Sequence, residues 1–340
     1  MSCALRYTVK IFCVIKMHIR GEVGTCDLDI SDEGRVTNIV SGNLAGTFAG
    51  FLAHLSWMEV ASKHSNIKLF LHARNKTSHP GNCYSNYRWF ESSQVLKEEL
   101  DDALSINILF DVFKPNDFMT TEKYPDSFTY YENFPFVNKL SLPFYPQESL
   151  KYDGRGQWLD QYLDKEALQK TRDALNIHWS KFSFTDSFQT MVDKEEQLIK
   201  GKKVFTVMIR QSAHYVRYES RCSDVIDAAV SIAKEKIDDY DGVLLTTQIQ
   251  PFVDRFKQEF GDKVITTERP RLARDTDWVG GRNEAMTDAE YLAEIQNAFL
   301  DVILTSKTDH VVAASSNMFL TALIMNPKIT YELFLVSDGL

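Results

Sequence analysis

Three polar clusters in this sequence each close an apolar, β-branched run. Val204 to Ile209 ends at Arg210-Gln211-Ser212, with His214 and Tyr215 just beyond. Gly242 to Leu245 ends at Thr246-Thr247-Gln248, and His310 to Ala314 ends at Ser315-Ser316-Asn317. Continuous apolar runs bounded by polar residues read as strands buried on both faces. Residues just past the carboxyl ends of such strands lie where open α/β sheets bind ligands. The chemistry available there is anion binding. The planar fork of Arg210 can donate two hydrogen bonds to one phosphate. Ser315, Ser316 and Asn317 open a helix, whose free N–H groups and dipole also favour phosphate oxygens. Arg210, the Ser-Ser cap and a glycine turn in the other domain form a candidate diphosphate cradle, and Thr247 is a further candidate binding residue at a strand end. Each member has a plainer alternative: Arg210 as a strand-end partner of a carboxylate, Ser315 as an ordinary helix cap. His214 is a candidate base for a hydroxyl nucleophile, or a surface-loop histidine. His54 lies on an apolar helix and reads as core.

The elements that must hold these residues alternate regularly after position 203. Strand 203–210 leads to helix 222–237, then strand 242–247 and helix 251–260, with Pro251 in the first turn. Strand 263–267 and a basic loop, Arg269 to Arg274, precede helix 287–305. Strand 310–314 and helix 318–325 close the series, stopped by Asn326-Pro327. Such a series predicts a parallel sheet covered by helices. Upstream, 5–17 and 35–41 read as strands. Ser41-Gly42-Asn43-Leu44-Ala45-Gly46-Thr47 then runs into the apolar helix Phe48 to Ala61. A strand, a Gly-containing turn and a helix can turn backbone N–H groups on an anion, which makes Gly42 and Asn43 candidate donor-binding residues; ordinary strand-to-helix packing is the alternative. Ile67 to His72 is the next strand. Residues 74–150 carry six prolines and two aromatic clusters: Tyr84, Tyr87, Trp89 and Phe90, then Tyr130, Tyr131, Phe134 and Phe136. These either stack on sugar rings or pack a loop-rich region. Residues 157–200 turn helical. The expected division is an N-terminal α/β domain over 1–200, with an aromatic-rich insertion, and a C-terminal Rossmann-like domain over 201–340.

The chain has 340 residues, 44% hydrophobic and 25% charged, the make-up of a globular protein with two domains or one large one. A net charge of -9 disfavours non-specific nucleic-acid binding. The five cysteines are scattered without CxxC or zinc spacing, which fits a reducing, cytoplasmic setting. Val9 to Met17, interrupted by Lys10 and Lys16, reads as a strand rather than a signal peptide, and no run reaches membrane-spanning length. Asn75-Lys76-Thr77 reads as a chance sequon. No Asp-x-Asp triplet is suited to holding a divalent ion.

The motifs resemble those of the GDP-fucose-dependent fucosyltransferases, the α1,2-, α1,6- and protein O-fucosyl enzymes. The resemblance rests on Val207-Met208-Ile209-Arg210 against a His-x-Arg strand end, and on Leu245-Thr246-Thr247-Gln248 against a Ser/Thr-Asp-Asp strand end. A late block matches as well: Asp301-Val302-Ile303-Leu304-Thr305-Ser306 through Asp309 to Ser315-Ser316 and Asn326-Pro327. Ser41-Gly42-Asn43-Leu44-Ala45-Gly46 stands in for an N-terminal Gly-rich loop. Met208 replaces the family histidine, and the middle strand lacks the Asp pair. The resemblance covers 200–330 well and 36–62 loosely. It implies a GT-B architecture, two Rossmann-like domains facing a cleft. It also implies inverting transfer of fucose from GDP-fucose to a glycan or glycosylated acceptor, with no cofactor and no metal. Arg210, Ser315 and Ser316 carry over best. Another nucleotide sugar, or a non-catalytic nucleotide-sugar or glycan-binding module, are the alternatives.

Overall fold

The computed structural model describes residues 37–41, 47–63, 65, 67–71, 111–118, 129–131, 165–209, 222–273, 288–313 and 316–333. Two parallel sheets organise them. The smaller takes β1 (Thr37–Ser41), β2 (Ile67–Leu71) and β3 (Thr129–Tyr131) in the order β2-β1-β3. Helix α1 (Thr47–Lys63) crosses from β1 to β2. Two further helices, α2 (Lys165–Trp179) and α3 (Asp186–Glu196), lead to the larger sheet. It is built from β4 (Val204–Met208), β5 (Gly242–Thr246), β6 (Val264–Ile265), β7 (His310–Ala313) and β8 (Thr330–Leu333), in the order β6-β5-β4-β7-β8. Its crossovers are α4 (Cys222–Lys236), α5 (Gln250–Phe260), α6 (Asp288–Ser306) and α7 (Asn317–Met325).

Alternation along the strands divides the larger sheet into two faces. Phe205, Val207, Val243, Leu245 and Val312 pack under α4 and α5. Val204, Met208, Leu244, Val311 and Ala313 face the other way, into an apolar cluster that continues through α6 and α7 to α1 and Leu69 of β2. Pattern explains which helices lie where. Helix α5 buries one stripe, Phe252, Val253 and Phe256, and is a covering helix. Helix α7 is apolar all round, and Phe319 through Ile324 are all buried, as a helix packed on every side must be. At the heart of this layer Phe113 is fully buried, stacked on Phe51 and edge-on to Phe299 and Trp179.

A helix end in a dry interior needs partners for its last carbonyls, and α2 supplies them to α7. Arg172, 4% exposed, donates from Nε to Leu323 O (3.1 Å) and from Nη2 to Asn326 O (3.0 Å) and Ile329 O (2.8 Å). Asn176 Nδ2 reaches Ile324 O (2.8 Å) and Met325 O (3.1 Å), and Gln169 Nε2 reaches Pro327 O (3.1 Å). On the opposite side of α2, His178 Nε2 lies 2.7 Å from Glu59 Oε2 of α1, and His178 Nδ1 lies 3.4 Å from Lys181 Nζ. Lysine only donates, so His178 is neutral and its Nε2–H donates to Glu59. Burial holds its pKa below the ordinary histidine value.

The parallel α/β expectation for 203–327 is met, and most elements stand within two residues of their expected bounds. Two strands were not expected. Thr129–Tyr131 sits among prolines and polar residues, and Thr330–Leu333 alternates too briefly to register. Phe113, from the aromatic-rich stretch, packs the core rather than presenting a ring to a ligand. The expected strand 5–17 and the cluster Tyr84, Tyr87, Trp89 and Phe90 lie outside the described residues. Among those described, no helix is long and apolar enough to cross a membrane.

Removing the Arg172 guanidinium takes its donor from Leu323 O and Ile329 O, whereas Asn326 O keeps the N–H of Ile329. Arg172→Met is expected to cost on the order of 3 kcal/mol, since each buried acceptor left unpaired costs about 1–3 kcal/mol. Urea unfolding checks this: a midpoint unchanged from wild type would mean that water replaces the guanidinium without loss.

Candidate functional site

The chain runs from β4 outward to β5 and β6, then returns to add β7 and β8 on the other side of β4. Strand order therefore reverses between β4 and β7. Crevices at the carboxyl ends of the strands flanking such a switch point are where open parallel sheets hold ligands. The last paired row there is Thr246, Met208 and Ala313, in register across β5, β4 and β7. Ile209 continues β4, donating its N–H to Thr246 O at 3.0 Å.

Helix α7 begins at this edge. Ser316 is its N-cap, in extended backbone (φ -160°, ψ 159°), and its Oγ accepts from Phe319 N at 3.1 Å. Asn317 is the first helical residue, and its buried Oδ1 has no hydrogen-bond partner among the described residues. Thr247 follows β5. Its Oγ1 accepts from Ile249 N at 3.2 Å, which closes a short turn, and its carbonyl accepts from Arg269. Thr247, Ser316 and Asn317 are thus brought to one edge of one sheet. Arg210 follows Ile209 in sequence and Ser315 precedes Ser316, but Arg210, His214 and Ser315 lie outside the described residues, as do Gly42 and Asn43. Helix α1 starts at Thr47 and β1 ends at Ser41, so the glycine segment joins a parallel strand's carboxyl end to a helix start. His54 is buried, as expected of a core residue.

The carboxyl end of β5 also holds a charged cluster that the sequence reading passed over. Arg269 Nη2 donates to Thr247 O and pairs with Asp301 Oδ2 of α6, each at 3.0 Å. The two side chains are 2% and 4% exposed. Arg271 Nη2 donates to Thr267 O at 2.7 Å, and Gln248 Nε2 donates to Glu294 of α6. Burial raises the Asp301 carboxyl to about 6; Glu294 adds to this, and Arg269, Arg271 and a hydrogen bond from Thr267 oppose it. Burial, and then the repulsion of Arg269, lowers the Arg271 guanidinium. Three buried polar atoms remain without a partner among the described residues: Arg269 Nη1, Arg271 Nε and Thr246 Oγ1. One signal could have found the cluster. Asp301 interrupts the apolar stretch Phe299 to Leu304, and a carboxylate on such a face needs a buried cation.

Among the described residues no three His, Cys, Asp or Glu side chains cluster as metal ligands. Of the sequence's three Asp-x-Asp triplets, Asp27-Leu28-Asp29 and Asp275-Thr276-Asp277 lie outside the described residues, and Asp239-Tyr240-Asp241 stands at the amino end of β5, where Asp241 Oδ2 accepts from Lys203 N at 2.7 Å. That is the end of the sheet opposite the crevice.

No protein-family model matches the sequence, and neither does any curated protein. Solved structures do match in fold. The crystal structure of NodZ α1,6-fucosyltransferase soaked with GDP-fucose aligns with a TM-score of 0.50 at 13% identity, over 86% of this chain and 94% of that one. NodZ fucosyltransferase from Bradyrhizobium gives 0.48 at 13% identity, over 86% and 94%. POFUT1 in complex with GDP-fucose gives 0.41 at 10% identity, over 88% and 98%. The chain has a fucosyltransferase-like, GT-B-type α/β fold.

The Arg269–Asp301 pair makes a pH-dependent prediction. Asp301 is charged above its raised pKa and takes up a proton as pH falls through about 6. The ion pair therefore exists on the alkaline side of that value and is lost on the acid side. Arg269→Met is expected to cost about 3–5 kcal/mol at pH 8, the scale for stranding one member of a buried pair, and clearly less at pH 5. Urea midpoints of both proteins at the two pH values test it. An equal penalty at both would show that Arg269 acts by packing rather than by charge.

Proposed function

We propose that the protein is an inverting glycosyltransferase that moves fucose from GDP-fucose to the hydroxyl of a glycan or glycosylated acceptor, without a metal. The observation that carries this reading is the switch point. The Ser316-capped start of α7 follows β7, the strand paired with β4, whose carboxyl end lies two residues before Arg210. The fucosyltransferase-like fold supports it, since the neighbouring NodZ structure was soaked with GDP-fucose. In this reading the two halves, 1–200 and 201–340, are acceptor and donor domains facing a cleft.

The roles follow from where charge develops. The glycosidic C1–O bond to the β-phosphate breaks, and both of its electrons leave with GDP. Arg210, Ser315, the N–H groups of α7 and the Asn317 amide bind the departing diphosphate, whose charge grows toward the transition state. A fixed guanidinium with helix N–H groups serves where a divalent ion otherwise would. Gly42 and Asn43 line the donor from the first half, and Thr247 shapes the edge beside β4. The acceptor oxygen bonds to C1 from the opposite face as His214 removes its proton.

Arg210→Lys keeps one charge and loses the two-pronged contact. Turnover is expected to fall on the order of 10²-fold or more, the scale of losing one oriented charge-stabilising donor. Ser315→Ala is expected to lose less, because neighbouring N–H groups remain. Steady-state kinetics with circular dichroism as the folding control decide it; a folded Arg210→Lys protein with wild-type turnover would make Arg210 a structural residue. Activity is also expected to survive EDTA, and its loss and restoration by manganese would refute the metal-free reading.

A further inference from the structure

We infer that His178 is an acid-sensitive catch between the two sheets: a proton taken up on its imidazole drives Lys181 away and frees α1 from α2. The inference is independent of the transfer reaction and holds whatever the substrate.

Helix α1 belongs to the smaller sheet, and α2 is clamped to α7 of the larger one, so their contact is a joint between the two. Most of the joint is apolar: Leu168 and Leu175 of α2 share one cluster with Phe51, Leu52 and Leu55 of α1. A polar group closes it at the carboxyl end of both helices. The His178 side chain is 2% exposed and that of Glu59 12%. Glu59 accepts from His178 Nε2 at 2.7 Å and also pairs with Lys63 at 2.5 Å. Lys181 Nζ lies 3.4 Å from His178 Nδ1 and stands over the Phe118 ring. The next ring, Trp179, meets Phe51 of α1 and Phe113 edge-on, so a shift at His178 reaches the central aromatic cluster.

Both nitrogens of the neutral ring are in use. A proton has one place to go, Nδ1, which faces the Lys181 ammonium. Two donors then oppose each other, and three cations share one carboxylate. The charges acting on the ring are Glu59 and Lys63 of α1 and Lys181. The other helix packed on α2, α7, carries no titratable side chain, and Lys114 is paired with Asp186. Burial, and behind it the two lysines, outweighs the pull of Glu59 and keeps the ring neutral in the fold. The stability this neutral ring contributes is present above the ordinary histidine pKa of about 6.5 and is lost as pH falls below it. Lys181 is exposed and swings out easily. The charged ring left behind needs water, which reaches it when the two helices part.

The test is hydrogen–deuterium exchange of the full chain at pH 8 and pH 5, corrected for the intrinsic rate, with urea midpoints at both. In wild type the amides of α1 should lose protection at pH 5, while those of α5, on the far face of the larger sheet, keep theirs. His178→Gln keeps a donor for Glu59 and cannot take up a proton. It should hold α1 protected at both pH values, and its midpoint should fall less between them than that of wild type. Asp301 titrates in both proteins, so the difference between them is what counts. Lys181→Met, a change at an exposed position, removes the opposing cation and should also reduce the acid loss. Equal acid sensitivity in wild type and both variants would overturn the inference. So would α1 protection that holds or rises at pH 5 in wild type, which would mean that protonated His178 tightens onto Glu59. Loss of protection in α1 and α5 alike would overturn it too, as global unfolding rather than release at the joint.

Discussion

Helix α7 is nine residues of nearly unbroken apolar sequence, buried on every side, and both of its ends must still satisfy their backbone groups. The rest of the structure depends on how that is done. At the carboxyl end the solution is tertiary. Arg172, Asn176 and Gln169, all on α2, donate to carbonyls of Leu323 through Ile329. At the amino end it is local: the Ser316 hydroxyl accepts from Phe319. The result is a short rigid rod tied to the upstream helices at one end and opening on the carboxyl edge of the parallel sheet at the other.

That tie makes one core out of two sheets. Helices α2 and α3 precede the larger sheet in sequence, yet they pack on α7 and α6, which belong to it. The apolar cluster is continuous from Leu69 to Val311. A site at the start of α7 is therefore braced by residues far away in the chain, and its geometry is a property of the whole packed layer.

Beside it, the carboxyl end of β5 stores electrostatic free energy in a second way. Burying Asp301 is unfavourable, as its raised pKa records, and Arg269 offsets that cost only in part; one of its own nitrogens has no partner among the described residues. Replacing such pairs by apolar residues is often neutral or stabilising. Their presence at a strand's carboxyl end, beside a topological switch point, points to function more than to stability.

The sequence by itself determined the class of the larger sheet. Short, β-branched apolar runs such as Val204–Ile209 and Val311–Ala313, bounded by polar residues, read as doubly buried strands, and the helices between them favour parallel pairing. It also determined that a serine hydroxyl caps α7, a local, short-range interaction, although the cap is Ser316 rather than Ser315. Only the tertiary structure decided the strand order, and with it which strand ends adjoin, because register and neighbour are set by packing between distant segments. The Arg172 clamp and the Arg269–Asp301 pair belong to the same class. Their partners stand 151 residues apart in one case, and in the other a basic loop meets a helix that follows it. In the linear sequence each is one charged residue among many. Each acquires its meaning when burial removes water and leaves a particular carbonyl or carboxylate as its partner.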